Sequence, residues 1–187
     1  MSNNRLDNKG TILVFVLIIC SVMILTGAVT LSTTLMDYKM KKINSDVKKS
    51  LYQAEAAIDE AYVIVFDFIT SAIEYAANED ADFKTSFVDF LKGNCSDSKW
   101  GKSICDVLKN NSEYIINNGD YPFVNAKIAE NEEYFQLEIT STHMIGSIKK
   151  QVSMLCNICI PDDNDEFDIN NIKAEDLLRV IDWKVVR

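Results

Sequence analysis

The hydrophobic positions of this chain are concentrated near its N-terminal end. Residues 10–36 carry no charged side chain, and most side chains of residues 12–25 are aliphatic or aromatic. A helix rises about 1.5 Å per residue, so this run is long enough to cross the roughly 30 Å hydrocarbon core of a bilayer. The pattern favours a transmembrane helix over residues 11–36 against two alternatives, a buried core helix and a removable signal peptide, whose apolar region is shorter.

The pattern changes after residue 36 from a continuous apolar run to a helical period. Apolar residues recur every three or four positions, which indicates one buried face of an amphipathic helix over residues 37–78. No Pro or Gly interrupts residues 28–78, so the span and the amphipathic stretch are expected to form one helix that ends in the polar cluster 78–82. The expected buried stripe is Leu51, Ala54, Ile58, Ala61, Val65, Phe68, Ala72 and Tyr75.

Residues 79–187 show shorter elements and are expected to form a globular head. Two amphipathic helices are predicted, one over 83–91 that ends at Gly93 and one over 103–109. Alternating apolar and polar positions follow and indicate strands of an antiparallel meander. The predicted fold class is therefore α+β, a long N-terminal helix packed on an antiparallel sheet. The predicted strands are 122–128, 134–141, 148–159 with Ile145 before it, and 178–186.

Charge and composition narrow the function. The 187 residues carry a net charge of −9, which phosphate backbones repel, so nucleic acid is not an expected partner. His143 is the single histidine, and it lies beside a predicted hairpin turn, where a solvated side chain is expected. No nucleophile motif accompanies it, and we expect neither an enzyme nor a cofactor.

The residues in front of the apolar run carry a more specific signal. The first ten residues are mostly polar and end in Lys9-Gly10, and the apolar run follows directly from Thr11. This arrangement resembles the class III leader of type IV pilins. The resemblance implies a leader over residues 1–10, cleavage between Gly10 and Thr11 by a prepilin peptidase, methylation of the new N-terminus at Thr11, and retention of residues 11–36 as the filament core.

Two further features narrow the resemblance from type IV pilins in general to minor pilins. Major pilins carry a Glu at the fifth residue after cleavage, where this chain has Phe15, and Gly27 with a few hydroxyl residues provides the only local flexibility of the expected filament core. The Glu of the family pairs with the N-terminal amine of a neighbouring subunit, so its absence implies a minor pilin at the tip or in priming. Residues 50–57, which contain Gln53 and Glu55, resemble an element of PilX-type minor pilins, although such residues usually form a solvated helix face.

The resemblance implies partners and a location. The expected partners are other major and minor pilins, the prepilin peptidase, the inner-membrane assembly platform and the membrane itself, with an exported head at the cell surface after assembly. Two alternatives stay open: a pseudopilin of a type II secretion or DNA-uptake apparatus, and a signal-anchored membrane protein with an acidic binding domain. Five lysines that follow the span favour the second alternative, because the positive-inside rule then predicts a cytoplasmic head. They are Lys39, Lys41, Lys42, Lys48 and Lys49.

The cysteines leave several chemistries open. Cys20 lies in the span and is expected to act as a small apolar residue. The four head cysteines are candidates for disulfides, for a metal site or for free thiols. Residues 156–159 would point their two thiols to opposite faces if they form a strand, which disfavours a shared metal. The acidic run 162–168 is a weak calcium candidate against a solvated loop. The four are Cys95, Cys105, Cys156 and Cys159.

Overall fold

The computed structural model describes residues 8–79, 82–95, 102–108, 122–131, 133–161 and 172–186. The chain divides into two compact units, residues 1–45 and residues 46–187. One helix, α1 (Asn8–Asn78), contributes to both. The continuous helix and its end at Asn78 confirm the prediction from the sequence. Most of the expected leader lies outside the described residues.

The second unit contains a four-stranded antiparallel sheet with the strand order of the sequence. Every neighbouring pair is antiparallel, and Gly146 and Ser147 alone connect the second strand to the third, where Ile145 pairs with Ile148. Gly146 has a φ of 59°, a conformation that suits such a two-residue hairpin turn. The strands are β1 (Phe123–Glu130), β2 (Tyr134–Ile145), β3 (Ile148–Cys159) and β4 (Leu178–Val186).

The part of α1 that belongs to the second unit packs its apolar stripe into the core of the head. Six of the eight expected stripe residues are buried, and Leu51 and Tyr75 are half-buried against the same core. The stripe shares one cluster with alternate residues of the strands, such as Leu137, Ile139 and Met154. Helical and strand periodicity therefore place one apolar face of each element against the other. This is the pilin-like α+β arrangement that the sequence predicts.

Two short helices complete the described part of the core. Helix α2 (Phe83–Lys92) begins at the cap Asp82, whose carboxylate accepts a hydrogen bond from the Thr85 amide, and ends at Gly93. Phe90 of α2 contacts Phe68 of α1, with ring centroids 5.1 Å apart. Residues 104–108 form helix α3, within the predicted range 103–109. Helix α4 (Ala174–Leu177) directly precedes β4 and was not expected from the sequence.

The strand boundaries differ from the prediction at the β2–β3 hairpin. β2 continues four residues beyond its expected end at residue 141, because the tight turn at Gly146 lets both strands pair along their full lengths. Ile145 therefore belongs to β2 and does not begin β3. β1 is shifted by one or two residues relative to the expected 122–128, whereas β3 and β4 have the predicted ends.

Candidate functional site: an exposed apolar helix

The largest exposed apolar surface in the described residues is the N-terminal part of α1. Its large apolar side chains are all exposed, from 41% for Ile19 to 73% for Ile24. Exposure on every side of a helix is unlike the one-sided burial that a soluble amphipathic helix shows. By length and composition the helix is apolar enough to cross a membrane, with a window of mean hydropathy 3.0 of which nothing is buried.

Hydroxyl groups in this segment donate hydrogen bonds to backbone carbonyls of the same helix. Thr30 Oγ1 donates to the carbonyl of Thr26 at 2.8 Å, and Thr34 Oγ1 donates to the carbonyl of Thr30 at 2.8 Å. Ser21 Oγ likewise donates to the carbonyl of Leu17 at 2.7 Å. Bonds of this kind let a hydroxyl lie in hydrocarbon without an unmet donor. The polar residues of the run are therefore compatible with a membrane span.

The residues singled out by the leader pattern lie on this exposed helix. Gly10 and Thr11 are helical and exposed, and a Cβ added at Gly10 would meet no other group within 4 Å. Phe15 is 64% exposed, and Gly27 also has open space around it.

A buried polar contact joins α1 to β2 in the second unit. Ser50 Oγ donates to the carbonyl oxygen of His143 at 3.1 Å and lies 3.2 Å from the ring Nδ1 of the same residue. Ser50 is fully buried and His143 is 3% exposed. The expectation of a solvated His143 was wrong, because β2 continues beyond its predicted end at residue 141 and includes His143. Two signals were present in the sequence: Ser50 lies one helical turn before Ala54 of the stripe, and His143 continues the alternation of Leu137, Ile139 and Ser141.

The neighbouring stretch with Gln53 and Glu55 is less solvated than expected. Both side chains are half-buried. The Oε1 atom of Gln53 is buried and has no hydrogen-bond partner among the described groups. The sequence signal for this stretch was helical propensity, which reports no burial.

The cysteines do not form one site. None of the five cysteines, all of which lie in the described ranges, forms a disulfide in the structure. Cys156 is buried on the core face of β3, and this burial raises the pKa of its thiol to about 11. Cys159 lies three residues later, is half-buried and points to the opposite face of the sheet, as expected for a strand. Cys95 and Cys105 are half-buried at the edge of the core. No cluster of metal-ligating side chains occurs in the described residues.

Two features remain to be described: the acidic run that is the calcium candidate, and a cavity in the head. The acidic run 162–168 lies outside the described residues. A cavity of about 510 Å³ lies between the C-terminal end of α1 and α4, with Phe66, Ile73 and Ile172 beside Glu74 and Lys173. Thr70 also lines this cavity, and its Oγ1 donates to the carbonyl of Phe66 at 2.9 Å within the helix.

The last strand presents a second exposed apolar surface, which the sequence did not single out. β4 lies at an edge of the sheet, and Val180, Trp183 and Val185 are 41–47% exposed. Trp183 and Val185 pair with Met154 and Val152, so they share the sheet face that is buried in β3. Ile181 is an extra residue in the register, a bulge of the kind that edge strands carry.

Comparisons with known proteins add no relative. No family model matches the chain, and no curated protein and no solved structure matches it.

Proposed function

We propose that this chain is a minor pilin, a structural subunit of a type IV pilus that primes assembly or occupies the filament tip. The observation that carries the proposal is the uncharged N-terminal part of α1, which is exposed on all sides and starts at Gly10. Such a helix needs lipid or other apolar helices around it, since its own chain buries none of it. A filament core of packed helices and a membrane both meet that need.

In this function the helix first anchors the subunit in the membrane and then packs in the filament core. The prepilin peptidase cleaves between Gly10 and Thr11 and methylates Thr11, and the helix stays in the membrane. The assembly platform then moves it into the filament, where it packs against the helices of other pilins. Gly10 supports cleavage at this bond because glycine weakens a helix by about 1 kcal/mol relative to alanine, so the chain there unwinds readily. The open space around Gly10 leaves the bond accessible.

Phe15 supports a place at the tip. A Glu at this position would meet the N-terminal amine of the subunit above it, and an apolar ring cannot accept that charge. The subunit can therefore begin a filament but dock poorly under another subunit. Its own amine at Thr11 is still available to the Glu of the next subunit.

The test of the class is the N-terminus of the full chain recovered from membranes that contain a prepilin peptidase. A chain that begins at a methylated Thr11 is expected. Gly10→Leu should abolish cleavage, whereas Gly27→Leu, a matched change at another exposed helical glycine, should leave cleavage intact. An N-terminus at Met1 or Ser2 in the unmodified chain would refute the pilin proposal.

The test of the tip position is the distribution of the subunit along filaments. Immunogold labelling should place the native subunit at filament ends, and pull-down should recover other minor pilins in preference to the major pilin. Phe15→Glu should move part of the label into the shaft, and Phe15→Leu should not. Label spread evenly along filaments by the native subunit would contradict the tip role.

A second candidate is a signal-anchored membrane protein with a cytoplasmic acidic head. The lysines that follow the span favour it, because basic residues mark the cytoplasmic side. Protease added to whole cells distinguishes the two: an exported pilin head is degraded, whereas a cytoplasmic head is protected until the cells are opened.

A further inference from the structure

The two outer strands of the sheet carry most of the exposed large apolar side chains of the head. β1 and β4 end the order of the four described strands, so each has one edge that no described strand pairs with. Ten large apolar side chains are exposed in the described part of residues 46–187, and seven of them lie on these two strands. The seven are Phe123, Ile128, Val180, Ile181, Trp183, Val185 and Val186. The open apolar surface of the head is therefore concentrated at the two opposite edges of one sheet.

The number of strands makes these two edges compatible in direction. Every neighbouring pair is antiparallel, so β1 and β4 of one chain run in opposite directions. A second copy that is displaced sideways across the strands, with the usual twist of a sheet, brings its β1 beside β4 of the first copy as an antiparallel pair. The displacement keeps the core face of both sheets on the same side. Residues of the core face on one strand therefore lie opposite residues of the core face on the other.

Charge selects one register for this pair. When Asp182 lies opposite Lys127, the strands oppose unlike charges, and the regular part of β4 after the bulge at Ile181 matches the start of β1. A shift by two residues, the smallest that keeps the faces matched, places Lys184 opposite Lys127 in one direction and opposite Phe123 in the other. The selected register also opposes apolar residues to each other. The further pairs are Trp183 with Ala126, Val185 with Val124, and Val186 with Phe123.

We propose that β4 of one copy of this chain pairs with β1 of a second copy, in the register that opposes Asp182 to Lys127. A lysine on an edge strand discourages pairing unless the partner strand supplies an acid, and β4 supplies one. Both side chains are exposed, and Lys127 forms no ion pair with a described residue. Asp182 lies 3.4 Å from Lys184 of its own strand, and both of these side chains are at least half exposed.

Main-chain hydrogen bonds between the two open edges provide affinity, and the exposed apolar side chains of both edges lose contact with water. The contact is heterologous, because it joins two different edges. A row of copies therefore keeps one open β1 and one open β4 at its ends and can extend further.

The contact is small, so self-association should be weak. It involves five residues of each strand, against about 20–30 residues on each side of a standard interface. A dilute chain is therefore monomeric, and pairing appears only at high concentration. The inference requires neither leader cleavage nor a membrane. It can fail while the pilin proposal holds, and the pilin proposal can fail while it holds.

The experiment measures self-association of the full chain in detergent by sedimentation velocity, from about 1 μM to about 1 mM, the range of weak complexes. The native chain should form dimers and longer species as the concentration rises. K127D and D182K each oppose like charges, and each should raise the dissociation constant at least about fivefold. An equimolar mixture of the two variants opposes unlike charges in every mixed contact and should recover the native association, as should the double variant K127D/D182K.

The mixture separates a lost contact from a lost fold, because two misfolded variants would not restore each other. The matched control is K149D, which reverses an exposed lysine on the inner strand β3 and should leave association unchanged. Association through the exposed N-terminal helix would respond to none of these variants. A native chain that stays monomeric at the highest concentration, an association that neither reversal weakens, a mixture without recovery, or an equal loss in K149D would each overturn the proposal.

Discussion

At the scale of single residues, the contact between Ser50 and His143 connects α1 to β2 inside the head. If the Ser50 hydroxyl donates its proton to the His143 carbonyl oxygen, the ring Nδ1–H of His143 donates to Ser50 Oγ, so one buried hydroxyl serves two groups. Ser50→Ala should lower the free energy of unfolding by about 1–2 kcal/mol, the cost of an unmade buried hydrogen bond. Thermal unfolding of the full chain in detergent measures it. Ser45→Ala, on an exposed position of the same helix, should change nothing, and an equal effect of both would contradict the assignment.

Gly93 ends α2 in a conformation and a space that only glycine fits. Its φ is 77°, and an added Cβ would lie 2.5 Å from the Ser103 backbone nitrogen and 2.7 Å from the Lys102 carbonyl carbon. Gly93→Ala should therefore cost more than the roughly 1–2 kcal/mol of a left-handed non-glycine residue. Gly146→Ala is the matched control, because Gly146 has a φ of 59° with open space around it. Similar losses of stability for the two variants, measured by urea unfolding, would show that the close approach of residues 102–103 is unimportant.

Cys156 should be the least reactive thiol of the head. Burial raises its pKa from an ordinary value near 9 to about 11, so the thiol stays protonated at pH 8, where alkylation needs the thiolate. Mass mapping of iodoacetamide labelling should find Cys95 and Cys105 modified before Cys156, and all three modified together in urea. The folded state holds this proton more tightly between pH 9 and 11, so in that window the free energy of unfolding should fall as the pH rises. Early labelling of Cys156 in the folded chain would contradict its burial.

At the scale of elements, the stripe on α1 decides which side of the helix meets the head. Phe68 is fully buried against Phe90, whereas Val63, five residues earlier, is 57% exposed. Phe68→Ala should lower the free energy of unfolding by about 3–5 kcal/mol, since it removes a buried ring and leaves a cavity. Val63→Ala should cost less than about 0.5 kcal/mol. Denaturant unfolding followed by circular dichroism compares them, and a larger effect at Val63 would place the packed face elsewhere.

Local periodicity explains which elements the sequence predicts well. The α1 stripe has a clear helical period and Gly93 is a distinct helix terminator, so the ends of α1 and α2 agree closely with prediction, and β3 has the predicted ends although its alternation is imperfect. The end of β2 was predicted too early because Thr142 and His143 are polar, and the burial of His143 involves the distant Ser50. The exposed apolar residues of β4 were missed because a strand pattern does not reveal which strand lies at an edge. The expected leader, by contrast, is a prediction from the sequence, and most of it lies outside the described residues.

At the scale of the whole molecule, the boundary between the two units predicts how the chain can be divided. The second unit, residues 46–187, contains the whole described core, including Ser50 and the stripe of α1. Among residues 10–45, the part of the first unit whose burial the structure describes, no apolar residue is buried, and this part carries the exposed uncharged helix. The head should therefore keep its stability when the first unit is removed, while membrane association should be lost.

A chain of residues 46–187 tests this division. It should be monomeric in water, unfold cooperatively near the temperature of the full chain in detergent, and fail to float with vesicles. A second cut before residue 55 provides the control, because it removes Ser50 and Ala54 and exposes part of the core, so that chain should unfold at a lower temperature. If the 46–187 chain aggregates or unfolds without cooperativity, the head depends on the N-terminal helix for its fold. A pilin that the assembly machinery must move out of the membrane needs a head whose stability is independent of where its helix lies, and this measurement decides whether the chain meets that requirement.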